Sequence, residues 1–197
     1  MRRPRASVLG LAKAGAVITL ALAFMASPAV AYYQEPGING VASRLAGKKV
    51  RVECADAQTE ANDFMFAVYG VEGYVEGAYA WGRWIPKPVA YFRGVHCDNL
   101  VAALRGDLSG VFFHDFAWSL LVLVHESGHL KGAKWSGDEA ETQCWAMQHA
   151  RAGLRMLGFR EEAQWKLVLY ELLLIHKFEL ASQYQLQSCQ LPSLPEG

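Results

Sequence analysis

The sequence predicts an α+β fold, a small antiparallel sheet beside a helical body, stapled by disulfides. Three observations carry that reading. Between Lys49 and Phe92, short alternating, β-branched and aromatic runs are broken by Gly and Pro, as short strands are. From Asp98 onward the apolar spacing is helical. Four cysteines, an even number, lie beyond a leader of the exported type. The chain has 197 residues, 52% hydrophobic and 19% charged. That suits one domain with a sizeable core and excludes a disordered chain.

Residues 1–31 read as a signal peptide. Arg2, Arg3 and Arg5 precede an apolar run from Ala14 to Ala26, and Ser27-Pro28-Ala29-Val30-Ala31 offers an A-x-A cleavage site. Left uncleaved, the 18 residues from Ala14 to Ala31 are just long enough to anchor in a membrane. The small-residue site favours cleavage, and with it a secreted or extracytoplasmic location. This segment holds four of the 19 basic residues and none of the 19 acidic ones, so the remainder carries a net charge of −4. Such a balance offers no broad basic surface for nucleic acid.

Residues 32–48, polar and glycine-containing, predict a flexible lead-in, and 49–197 a single domain. Lys49 to Cys54 alternates as a strand does. Asp56 can cap a helix reaching about Tyr69, with Ala61, Phe64, Met65 and Val68 on one face and Gly70 as its stop. Tyr74–Trp81 and Val89–Phe92 predict short strands. Between them, Trp84-Ile85-Pro86-Lys87-Pro88 predicts a turn or edge segment, because neither proline can donate to a ladder. Helices are expected at Asp98–Arg105, about Asp115–Leu130, about Asp138–Leu157 and about Arg160–Leu180. The tail from Ser182 to Gly197 carries Cys189 and two prolines, which suggests an irregular but tethered segment.

Cys54, Cys97, Cys144 and Cys189 show no C-x-x-C spacing, so two disulfides are expected and a cysteine-type zinc or redox site is not. Three pairings are open. Cys54–Cys97 with Cys144–Cys189 is favoured, since each bridge would staple one half of the chain to itself.

The chemistry concentrates at His125-Glu126-Ser127-Gly128-His129, at the end of the apolar run Phe116–Val124. On a helix, histidines at i and i+4 lie one turn apart on one face, so both imidazoles can reach one ion. Glu126 sits about 100° further round, beside the ion and able to act on the water it polarises. This is the H-E-x-x-H zincin arrangement of two zinc ligands and a general base. Three ionisable groups at the end of an oily helix are costly to bury unless a divalent cation pairs them.

A catalytic zinc takes a third protein ligand and keeps an open position. After the expected helix stop across Lys131–Gly137, the next helix begins at Asp138-Glu139-Ala140-Glu141 and, packed antiparallel, brings its first turn near His129. Glu139 and Glu141 are about 200° apart, so only one can face the metal. Glu139 shares its face with Thr142, Gln143 and the small Ala146, and is favoured. His149 and His114 are rivals as a third ligand. Asp138 and Glu141 are read as first-turn acids that favour the helix dipole.

The string HESGHLKG, with DEAETQCWAMQ behind it, resembles a family of exported zincin-type metallopeptidases from actinobacteria. Members show H-E-x-x-H-L-x-G and then E-A-x-T-x-C-x-A-x-Q. The matching positions are His125, Glu126, His129, Leu130 and Gly132, then Glu139, Ala140, Thr142, Cys144, Ala146 and Gln148. Weaker similarity reaches Cys54, Cys97-Asp98-Asn99-Leu100 and Tyr184 ahead of Cys189; the tail after Cys189 diverges. The resemblance implies a zincin-like active-site helix, zinc held by His125, His129 and Glu139, and Glu126 as base. It implies no particular substrate.

The expected activity is hydrolysis of peptide bonds in a peptide or protein substrate, with His114, Tyr184 and His149 as candidates to steady the oxyanion. The alternatives are an exported zinc-binding protein without turnover, and an interaction module using Trp81, Trp84, Tyr91 and Phe92. The sequence leaves the oligomeric state open.

Overall fold

A computed structural model describes residues 32–56, 77–82, 85–131, 138–180, 184 and 188–191. The expected signal peptide, the expected helix from Asp56 to Tyr69 and its Gly70 stop lie outside these, save Asp56 itself.

Residues 32–48 are not a flexible lead-in. Tyr32–Gln34 forms β1, and Pro36–Ala46 forms helix α1. Proline opens α1, where a missing N–H costs nothing, and Gly47 closes it at φ 68° with its N–H on the Ser43 carbonyl. Ile38, Val41, Ala42 and Leu45 are buried at helical spacing. Two side chains dock α1 on the start of β2 (Arg51–Ala55): Val52 N–H donates to Asn39 Oδ1 at 2.7 Å, and Val50 N–H to Ser43 Oγ at 2.9 Å. These tertiary bonds, more than local propensity, order the segment.

β3 (Gly77–Gly82) and β4 (Ile85–Phe92) complete a four-stranded sheet in the order β1-β2-β4-β3. The sheet is mixed, not antiparallel throughout. β1 runs antiparallel to β2 and β3 to β4, but β2 and β4 are parallel, with Arg51 opposite Val89 and Cys54 opposite Phe92. Parallel neighbours need a long connection, and the chain between β2 and β4 supplies it while placing β3 on the outer edge. Pro86 and Pro88 are taken into β4 instead of forming a turn. Among the described strands, β3 alone lies beside Ile85–Pro88, since the ladder with β2 starts at Val89. A strand with one neighbour tolerates prolines.

The helical body follows expectation with shifted ends. α2 spans Gly94–Arg105, α3 Phe113–Lys131, α4 Glu139–Met156 and α5 Glu162–Phe178. α3 is the axis: every residue from Ser119 to Leu130 is buried, and α1, α2, α4, α5 and the sheet all pack on it. Its internal Ser119 is satisfied, donating to the Asp115 carbonyl at 2.7 Å and accepting from Asn99 Nδ2 at 3.0 Å. α3 and α4 run antiparallel and close. A Cβ on Gly153 would meet Val124 and Leu120 at 3.0 and 3.1 Å, so the absent side chain sets their spacing.

Both disulfides form with the favoured pairing. Cys54–Cys97 ties β2 to α2, and Cys144–Cys189 ties α4 to the tail. Two such bonds are compatible with an oxidising, extracytoplasmic setting. Among the described residues, no helix is long and apolar enough to cross a membrane.

At its N-terminal end α3 is clipped to α5. His114 Nδ1 lies 2.8 Å from Glu171 Oε1 and its Nε2 3.4 Å from Glu179 Oε2. The hydrogen bond to Glu171 raises the imidazole pKa; burial opposes it, and the charges of Glu179, Glu171 and Asp115 add to the rise. A histidine whose folded pKa is raised stabilises the fold below its unfolded pKa, about 6.5, and loses that contribution as pH climbs through the folded value. Burial of His176 acts oppositely, lowering its pKa so that acid disfavours the fold. Comparison of the wild type with His114→Gln isolates the first effect. In urea unfolding, the wild type should be more stable at pH 5.5 by a few tenths of a kcal/mol, the scale of exposed ion pairs, with the gap narrowing at pH 8.5. A gap that widens with pH would refute the assignment.

Candidate metal centre

The buried end of α3 carries the candidate ligands. His125 and His129 sit one turn apart with ring centroids 4.7 Å apart, nearly perpendicular, and are 7% and 1% exposed. Glu139 opens α4, set there by Asp138, whose carboxylate caps the helix by accepting from the Glu141 N–H at 2.8 Å.

Glu139 Oε2 lies 3.0 Å from His125 Nε2 and 3.2 Å from His129 Nε2, and the two Nε2 atoms are 3.0 Å apart. His125, His129 and Glu139 therefore form a group able to hold a metal ion. Bonds of about 2.0–2.1 Å to a tetrahedral ion separate its ligand atoms by about 3.3 Å, close to this triangle. Three such atoms facing one another at that distance need a proton or a cation between them, and one divalent ion can serve all three at once. The donor set fits a divalent ion of borderline softness.

The environment biases each carboxylate differently. With no ion between them, the His125 and His129 imidazoles against its Oε2 lower the Glu139 pKa well below the usual carboxylate range, against some burial. Glu126 is raised, chiefly by burial, with the two histidines opposing. It is 6% exposed, and its Oε2 is buried with no hydrogen-bond partner among the described residues.

The rivals fall elsewhere. Glu141 is outside the triangle. His149 donates from Nδ1 to the Trp145 carbonyl at 2.8 Å and stacks on the Trp145 ring. His114 is engaged with α5 at the far end of α3. Of the three oxyanion candidates, only Tyr184 is brought to this end, its ring edge-on to His125 at 5.8 Å.

Sequence reasoning gave no role to Gln143 or Thr142. Gln143 Oε1 lies 2.9 Å from His125 Nδ1, and Thr142 Oγ1 3.4 Å from His129 Nδ1. Their shared face with Glu139 was the available signal.

Gly128 lets α4 come this close. A Cβ there would lie 2.7 Å from Trp145 Cε3 and 3.0 Å from Thr142 Cγ2. Gly128→Ala should destabilise the protein by about 1–3 kcal/mol through overpacking, outweighing the gain of about 1 kcal/mol that alanine brings to a helix. Urea denaturation decides it, and unchanged or higher stability would show that the seam yields.

No known family model, curated protein or solved structure matches the chain.

Proposed function

We propose that this protein is an exported zinc-dependent metallopeptidase, a zincin-like hydrolase in which His125, His129 and Glu139 hold the metal and Glu126 is the general base. The observation that carries the reading is the triangle of Nε2, Nε2 and Oε2 atoms with the buried Glu126 beside it, whose Oε2 has no hydrogen-bond partner among the described residues. It agrees with the resemblance to exported zincin-type peptidases in the stretch from His125 to Gln148.

Zinc suits two imidazoles and one carboxylate, and when bound it supplies Lewis acidity that eases ionisation of water near neutral pH and polarises a carbonyl oxygen. The chain's own residues do the rest. Glu126, held in an apolar setting that raises its basicity, takes a proton from the attacking water as the carbon–oxygen bond forms. It returns that proton to the amine as the carbon–nitrogen bond breaks. The Glu139 side chain keeps 38% of its surface exposed, so one side of the cluster is open to solvent and substrate. A closed structural site would use a fourth protein ligand instead, and Glu126 would have no task there.

Elemental analysis of the purified protein should find about one zinc per chain, lost in His129→Ala. Glu126→Gln should keep the zinc while hydrolysis of a peptide library falls about 100-fold or more. Zinc retained with turnover unchanged in Glu126→Gln would remove Glu126 from the mechanism. No zinc in the wild type after reconstitution would overturn the whole reading.

A further inference from the structure

We propose that Gln143 is a positioning residue for the metal site: by accepting the Nδ1 proton of His125 it presents the Nε2 lone pair to the ion. The inference rests on the metal reading above and adds a determinant of affinity that lies outside the ligand set.

A neutral imidazole carries one N–H, and the partner of one nitrogen decides the state of the other. The Gln143 amide oxygen lies 2.9 Å from His125 Nδ1, with Gln143 itself 2% exposed. An amide oxygen can only accept, so Nδ1 holds the proton and Nε2, facing His129 and Glu139, does not. Reversal of the amide would aim N–H groups at Nδ1 and move the proton to Nε2, into the space the ion needs. The observed orientation leaves Gln143 Nε2 buried and without a hydrogen-bond partner among the described residues. The amide thus gives up one bond of its own while its oxygen faces the ring.

The same turn of α4 serves both histidines. Glu139, Thr142 and Gln143 stand at i, i+3 and i+4, and Thr142 Oγ1 reaches His129 Nδ1 at 3.4 Å. One turn therefore supplies a ligand and the groups behind the other two. Both supporting groups are neutral, where a carboxylate is a common choice. The charge at the centre is then set by the three ligands and Glu126 alone.

The test is zinc affinity of the purified protein by competition with a chromophoric chelator. Gln143→Ala should weaken zinc binding about 10- to 100-fold, and Gln143→Glu, which keeps an acceptor of similar reach, should restore or exceed wild-type affinity. In the zinc-loaded wild type, ¹H–¹⁵N spectra should show a His125 Nδ1–H protected from exchange, and that signal should vanish in Gln143→Ala. Circular dichroism reports folding; if Gln143→Ala fails to fold, Gln143→Met, similar in size without an amide, takes its place. Affinity within about threefold of wild type in the variant lacking an acceptor, or no rescue by Gln143→Glu, would overturn the inference and leave the metal reading intact. Absence of zinc binding by the wild type would overturn both.

Discussion

Burial of His125, Glu126 and His129 inside the helical body is the constraint on which the other features of this end of the molecule depend. Each of these groups is costly to remove from water alone. Their helix is the axis of the core, so they cannot turn outward without moving α1, α2, α4 and α5. Compensation must come from groups brought to them, and α4 brings nearly all of it. Gly128 and Gly153 strip the side chains from the seam, α4 approaches, and its first turn delivers Glu139, Thr142 and Gln143 against the two imidazoles. Packing and electrostatics are thus one problem here. A bulkier seam would hold α4 away and leave the histidines in an apolar pocket without partners.

The two ends of α3 handle histidine in opposite ways. At the exposed end, His114 sits between the carboxylates of Glu171 and Glu179, which favour its charged form and join α3 to α5. At the buried end, the amide of Gln143 satisfies one face of His125 without charge, leaving the other face to a carboxylate shared with His129. The first arrangement favours a bound proton; the second, on the proposal made for Gln143, keeps the His125 proton on Nδ1.

Much of the site was legible because helical spacing dictates it. His at i and i+4, with Glu between, needs no knowledge of the fold, and the short link to Asp138 brings Glu139 within reach. Gln143 and Thr142 were not legible as functional, since an amide or hydroxyl on a helix face has many ordinary uses and only a measured contact separates them. In the fold, the helices declared themselves by their apolar period. α1 did not: Gly37, Gly40, Asn39 and Ser43 weaken the local signal, and the helix is held by bonds to Val50 and Val52 that only the tertiary structure creates. Sheet order was equally hidden, because alternation along Lys49–Cys54 and Val89–Phe92 says which faces are buried and nothing about which strands are neighbours or in which direction.

The disulfides divide the chain in a way that bears on the metal. One closes the loop from Cys54 to Cys97, the other the loop from Cys144 to Cys189, and the two do not overlap. Every proposed metal ligand, and Gln143 with them, falls in the interval between. α3 therefore belongs to neither covalent ring and is retained by packing and by non-covalent bonds such as those of His114 and Ser119. An ion bridging His125, His129 and Glu139 would close a third ring in that interval. The chain would then carry three cross-links in consecutive segments that share no residue, so that along the sequence no ring has to wait on another.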